Sequence, residues 1–258
     1  MRPFFDTLHG LEVDIELLLA EVGLTVSMFE NPEALIPEPP LWEFIEIAAK
    51  KLNLPHFGFL VTENVCLDKY GNFGEHLCFA KNLQAALSTF IQDLNTHVNY
   101  PNYWLEPRDN IIWLCRKGTP GIVKGKWIVE QHIVSFLIEL IKVYAGPNWH
   151  PKTVKLSSID VSGIKHSELL KNTNIVKGHA YSAVAIDNKL MSKSSTLPIR
   201  NNLKLALLDE VPSEFVLTLE KMLLQGYFGN HFETKVIAQK LGINLRTLQR
   251  RIKEQGTT

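Results

Sequence analysis

The chain has 258 residues, 45% of them hydrophobic and 21% charged, and its 27 Lys and Arg are balanced by 27 Asp and Glu. That balance excludes a polycation and a long disordered polar chain, so any contact with nucleic acid must be local. Cys66, Cys78 and Cys115 form no CxxC pair, which excludes a disulfide framework and suits a reducing cytoplasm. Asp6, His9, Glu12 and Asp14 interrupt the first apolar run, so it is no signal peptide, and no stretch approaches the roughly 18 uncharged apolar residues of a membrane span. A soluble, cytoplasmic protein is expected.

In chain order, Val13 to Val22 has helical spacing and runs to a C-capping Gly23. Asn31-Pro-Glu33 reads as a short turn. Leu41 to Leu52 reads as a helix with Trp42, Phe44, Ile45, Ile47 and Ala48 on its apolar side, entered through prolines. Pro55 to Thr62, rich in aromatic and branched residues, reads as a short strand, and Tyr70 to Gly74 as a turn. Leu83 to Val98 is a long amphipathic helix. Tyr103 to Glu106 and Ile111 to Arg116 read as two strands joined by the turn chemistry of Pro107-Arg-Asp-Asn110. The glycine-rich stretch Gly118 to Gly125 lacks the lysine–serine end of a phosphate loop and reads as a mobile connection. Lys126 to Ala145 is a strongly apolar helix closed by Gly146-Pro147. Strands are expected at Thr153 to Ile159 and Ala183 to Asp187, with a short helical piece near Ser167 to Lys171. Leu203 to Leu208 leads into Asp209-Glu-Val-Pro-Ser213, where a helical C-terminal part begins. The fold class is therefore α+β, a mixed N-terminal part followed by an all-α tail.

The tail carries the sharpest pattern. Thr234 to Leu241 forms one short helix that turns Val236 or Ile237, Ala238 and Leu241 inward. Gly242 suits a left-handed C-cap, Ile243 fills the angle, and Asn244 can cap a second helix with its side-chain oxygen. That second helix buries Leu248 and Ile252 and leaves Arg246, Gln249, Arg250 and Lys253 on a polar face. This is a helix-turn-helix whose polar side chains suit base edges in a major groove, although a solvated amphipathic hairpin would share the pattern. From His231 onward there are six basic and two acidic residues, so the positive charge is concentrated here.

No catalytic set is found. GxSxG is absent, each cysteine lies in an apolar run where a small buried hydrophobe is the default, and no acid–base pair stands out. His56, His76, His97, His132, His150, His166 and His179 show no metal-ligand spacing, so neither a metal nor a cofactor is expected. Trp104, Trp113, Trp127 and Trp149 could line an apolar ligand pocket, with core packing the default.

Ile237 to Gly256, with Ala-Gln-Lys-Leu-Gly followed by Arg-Thr-Leu-Gln-Arg, resembles the first helix-turn-helix of AraC/XylS-type transcription regulators. Asn244 stands where that family usually has serine. Pro55-His-Phe-Gly-Phe59, Gly71-Asn-Phe-Gly74, Leu83-Gln-Ala-Ala-Leu87 and Gly146 to Val154 follow in the order of the arabinose-binding-type sensor domain of such regulators. The resemblance covers nearly the whole chain and leaves the effector open. It implies a ligand-sensing, dimerising domain from Met1 to about Asp209 and the first half of a DNA-binding domain over residues 210–258. It also implies binding of double-stranded promoter DNA as a homodimer, no enzymatic activity, and Arg246, Gln249 and Arg250 as base-facing residues. Thr247 and Lys253 would then sit against phosphate. The family has two helix-turn-helix units, and here the sequence stops within the linking helix. The alternative expectation is thus a sensing, dimerising module without a complete DNA-binding domain, acting through heterodimers or as a decoy.

Overall fold

The computed structural model describes residues 2–29, 38–63, 67, 71–97, 102–197, 219, 233–241 and 244–254. Helices α1 (Arg2–Gly10), α2 (Ile15–Ala20), α3 (Glu38–Lys51), α4 (Phe57–Glu63), α5 (Gly71–Cys78) and α6 (Leu83–His97) come first. Strands β1 (Asn102–Arg108) and β2 (Ile111–Lys117) precede helix α7 (Lys126–Ala145). Then come β3 (Thr153–Lys155), β4 (Asn174–Val176) and β5 (Ser182–Asp187), and finally α8 (Thr234–Lys240) and α9 (Leu245–Glu254). The architecture is mixed α+β, as the sequence pattern implies.

The strands form one sheet in the order β1-β2-β5-β3-β4, antiparallel except for the parallel pair β3–β4. Pro107, which lacks an N–H, is tolerated because β1 lies at the edge. Asp109 adopts φ 52° in the two-residue turn to β2, a conformation that Asp accepts better than most residues. Leu114, Val184 and Val154 line one sheet face and pack on Leu87 and Phe90 of α6 and Leu137 and Ile141 of α7. A second apolar cluster joins Phe4, Leu19, Phe44, Ile45, Phe57 and Val61 of the first four helices, and Leu24 of the segment after α2, to Ile128 and Val129 at the start of α7. Helix α7 is thus common to both clusters.

Several expectations need correction. Pro55 to Thr62 is no strand: after a turn at Pro55–His56 the chain enters helix α4, which packs on α7 with Phe57, Gly58, Phe59, Val61 and Thr62 all buried. A short, evenly buried apolar run carries no period to tell helix from strand. Gly71 to Gly74 opens α5 and is no turn, while Tyr70 and the Asn31-Pro-Glu33 turn lie outside the described residues. The strand expected from Thr153 to Ile159 stops at Lys155. The Leu156 N–H still donates to the Val176 carbonyl of β4 at 2.8 Å, but the following amides leave the sheet: Ser157 and Ser158 donate to the Glu130 carboxylate of α7 at 2.6 and 3.0 Å. The sequence reading missed α1 and β4. The helices at Leu41, Leu83 and Lys126 and both hairpin strands form as expected, with α2 shorter than its pattern. Residues 203–213 lie outside the described set.

The Gly118 to Gly125 connection is held, not free. Thr119 Oγ1 donates to Glu38, Lys124 pairs with Glu43, and the Gly125 N–H donates to Glu46, so three carboxylates of α3 grip one loop. Gly125 has φ +67°, and a Cβ there would lie 2.1 Å from the Trp42 carbonyl oxygen. Only glycine fits.

Two predictions follow from the packing of α7. At Gly58 a Cβ would lie 2.0 Å from the Ile128 carbonyl oxygen and 2.8 Å from Gln131 Cβ. Gly58→Ala should therefore cost about 1–3 kcal/mol or more by overpacking, read as a lower urea midpoint. An unchanged midpoint would show that the two helices part easily. The second concerns His132, whose Nδ1 lies 2.9 Å from Thr62 Oγ1 and whose ring meets Phe4 at 4.8 Å. Burial pushes this imidazole from 6.5 down to about 3. Below pH 6.5 the unfolded chain binds a proton that the folded chain refuses. Stability should be unaffected by His132 above that pH and fall by at most about 1.4 kcal/mol per unit on acidification towards 3. His132→Phe should flatten that limb in unfolding titrations at several pH values.

Candidate functional sites: the α8–α9 pair and a groove beside α7

Two places combine local order with exposed chemistry. The first is the α8–α9 pair. Ile237, Ala238, Leu241 and Leu248 are buried, with Leu248 fully so, and the spacing that predicted the helices also predicts these four. Asn244 caps α9: its Oδ1 accepts the Thr247 N–H at 2.6 Å, satisfying one donor that a helix start leaves open. Ile252 is partly buried. Gly242 and Ile243 lie outside the described residues.

Around α9, Arg246, Gln249, Arg250 and Lys253 are exposed. Positions 249 and 250 each lie three or four residues from 246 and from 253, so all four side chains share one face. Thr247 is placed differently. It is 6% exposed and belongs to the packed side with Leu248.

The second place is a groove of about 400 Å³ between α3, the start of α7 and the loop around Asp160. Ala49, Leu54, Pro55, Val123 and Ile128 supply its apolar lining, with Val123 82% exposed. Trp127 stands over it. Its indole Nε1–H donates to the Ser162 carbonyl at 2.8 Å, and its ring meets Phe59 edge-on at 5.8 Å, so its polar edge is satisfied. Of the four tryptophans considered as pocket residues, only Trp127 lines this groove. Trp113 instead lies beneath the Lys155 ammonium at 4.1 Å, and Trp104 packs on Tyr181.

Four charged side chains border the groove: Glu46, Lys50, Lys126 and Asp160. Glu46 is occupied. Burial pushes its carboxyl up, but the Lys50 ammonium and the Gly125 N–H outweigh that and hold it low. Asp160 Oδ1 accepts both the Ser162 hydroxyl, at 2.6 Å, and the Ser162 N–H, at 3.0 Å. Those bonds lower the Asp160 carboxyl below its ordinary range. Lys126 makes one contact at 3.5 Å to the Ser157 carbonyl. The sequence reading missed Asp160 and Lys126, although Asp-x-Ser is the spacing of an Asx-turn.

The wall of the groove is braced from behind. His56 stacks on His166 at 4.3 Å, and Gly163, at φ +80°, brings the chain against the Pro55–His56 backbone. Burial and the neighbouring His166 push the His56 imidazole down. Among the described residues, no three His, Cys, Asp or Glu are grouped to hold a metal. Cys78 and Cys115 are buried thiols that form no disulfide, burial pushes the Cys115 thiol up to about 12, and Cys66 lies outside the described residues. No described helix is long and apolar enough to cross a membrane.

Residues 13–159 match the family model of the arabinose-binding domain at the N-terminus of AraC transcription regulators. The match spans more than half of the chain, and the protein belongs to that family. Its fold is similar to that of the transcriptional regulator CdpR from Pseudomonas aeruginosa, with a TM-score of 0.52 and 15% identity, over 95% of this chain and 81% of that one. At that identity the likeness concerns the fold alone. No curated protein matches. The family match makes this a transcription regulator with a ligand-sensing domain.

The cap of α9 supplies a test of local order. Asn244→Ala should cost about 1 kcal/mol of helix stability, and Asn244→Ser should restore most of it. Amide exchange over residues 244–254 reads this directly, and equal exchange in all three proteins would mean that the cap is not holding the helix.

Proposed function

We propose that the protein binds double-stranded promoter DNA through α9 and answers to a small-molecule effector held by residues 1–209. In this reading residues 210–258 are the DNA-binding part, the regulator acts as a homodimer in the cytoplasm, and it has no enzymatic activity. The observation that carries it is the exposed set Arg246, Gln249, Arg250 and Lys253 on a helix capped by Asn244 and seated by Leu248. Arg forks bidentately onto the O6 and N7 of guanine, and Gln onto the N6 and N7 of adenine, so these types on one helical face suit major-groove readout. Lys253 takes the phosphate contact. Thr247, buried beside Leu248, has little side chain left to offer a phosphate, and its N–H is already used by the cap.

The effector would act by binding two states of the sensor with different affinity, since a ligand indifferent to the two shifts neither. Selection from a random duplex pool, with the full chain at fixed salt, tests the DNA reading. The wild type should enrich one sequence. Arg250→Ala should lose about 1–3 kcal/mol and relax a single base position, while Lys253→Ala should weaken all sequences alike and lower the salt slope by about 1. A uniform loss with Arg250→Ala would remove its base-reading role. No enrichment by the wild type would favour the sensing module without DNA recognition.

A further inference from the structure

We propose that the groove beside α7 is the effector site and that its ligand is a small apolar zwitterion, a free α-amino acid with a hydrocarbon or aromatic side chain. This rests on the reading of the N-terminal part as a sensor, and it adds both a place and a chemical class.

The argument begins with which charges remain available. Glu46 is spent on Lys50 and on the Gly125 N–H, so that pair adds no unneutralised charge to the groove. Asp160 and Lys126 are different. Among the described residues neither takes part in an ion pair, with each other or with a third group. Asp160 has one oxygen fixed by Ser162, which sets the plane of the carboxylate and leaves the other oxygen to accept. Lys177 contributes only a more distant positive charge to it. The Lys126 ammonium has three donors and a single contact at 3.5 Å. One unmatched anion and one unmatched cation therefore border the same apolar groove.

A ligand of one sign satisfies only half of this arrangement. An anion matched to Lys126 would leave Asp160 unpaired, and a cation matched to Asp160 would leave Lys126 unpaired. A neutral polyol can hydrogen-bond to Asp160, Lys126 and Asn53, but it neutralises neither charge and sets its remaining hydroxyls against Leu54, Pro55 and Ile128. A zwitterion meets both charges, with its ammonium on Asp160 and its carboxylate on Lys126, and charge-assisted hydrogen bonds are the stronger kind. The side chain then lies against Ala49, Leu54 and Trp127, whose N–H is already satisfied and whose ring asks for apolar contact. About 400 Å³ is near the small end of ligand pockets, which run from about 300 to 1,000 Å³.

Position supports the assignment. Trp127 packs against both apolar clusters, and the groove wall combines α3 from one with the Asp160 loop that follows β3 from the other. A ligand here touches both layers at once.

Isothermal titration of the full chain tests this with L-leucine and L-phenylalanine as probes. Isocaproate and hydrocinnamate lack the ammonium, and isoamylamine and phenethylamine lack the carboxylate. At least one amino acid should bind, with both of its analogues about tenfold weaker or more. Asp160→Asn and Lys126→Met, both at exposed positions, should each weaken the amino acid by a similar factor and leave the unfolding midpoint of the free protein unchanged. Binding of neither amino acid, binding that survives both substitutions, or an acid analogue that binds as well as its parent would overturn the proposal. The promoter selection is a separate measurement. Enriched DNA without amino-acid binding removes the site and keeps the regulator, and the reverse result keeps the site and removes the DNA reading.

Discussion

Three consecutive polar residues in the long, strongly apolar helix α7 hold this structure together. Glu130 and Gln131 are buried on α7, His132 nearly so, and each reaches a different neighbour. Glu130 accepts from the Ser157 and Ser158 amides and the Ser182 hydroxyl, tying α7 to the end of β3 and the start of β5. Gln131 accepts from the Gly58 N–H at 3.0 Å and donates to the Pro55 carbonyl at 2.7 Å, which caps the approach to α4. His132 meets Thr62 one turn further along α4. A buried polar group left without a partner costs on the order of 1–3 kcal/mol, so losing any one of these contacts is expensive. They join a sheet layer and a helical layer whose contact is otherwise largely apolar, and apolar contact alone has no preferred register.

The carboxylates of α3 do a related job at the surface. Glu38, Glu43 and Glu46 each hold a different point of the loop that leads into α7, and so fix where α7 begins. Burial raises the Glu38 carboxyl against the opposing pull of Thr119 and Arg116. Arg116 is itself buried, with its guanidinium 5.8 Å from the Trp42 ring, so the charged network runs from the sheet into α3. The groove inherits its shape from this bracing: one wall is α3, the other is the Asp160 segment, and α7 is the fixed element between them.

Long amphipathic or apolar segments were legible in the sequence because their burial has a period. Leu83 to His97, Lys126 to Ala145 and the β1–β2 hairpin all appear where spacing and turn residues place them. The α8–α9 pair was legible for a second reason: its cap, its inward residues and its exposed basic face are all set within twenty residues. Pro55 to Thr62 failed because a seven-residue helix buried on most sides shows no polar stripe. The strand after Thr153 failed because its length is decided by Glu130, 27 positions away in the chain. The groove was illegible for the same reason. Lys126 and Asp160 are ordinary surface residues until tertiary packing sets them on one apolar hollow.

Gly58 and Gly125 impose a limit of another kind. Each lies where a neighbouring backbone carbonyl occupies the space that any side chain would need, one against Ile128 and one against Trp42. A carbonyl cannot rotate away as a side-chain tip can, so neither clash is relieved by a compensating substitution nearby. Most core positions can drift through pairs of changes that conserve volume. These two cannot, and sequences diverging from this one must keep both glycines or abandon the helix crossings they permit.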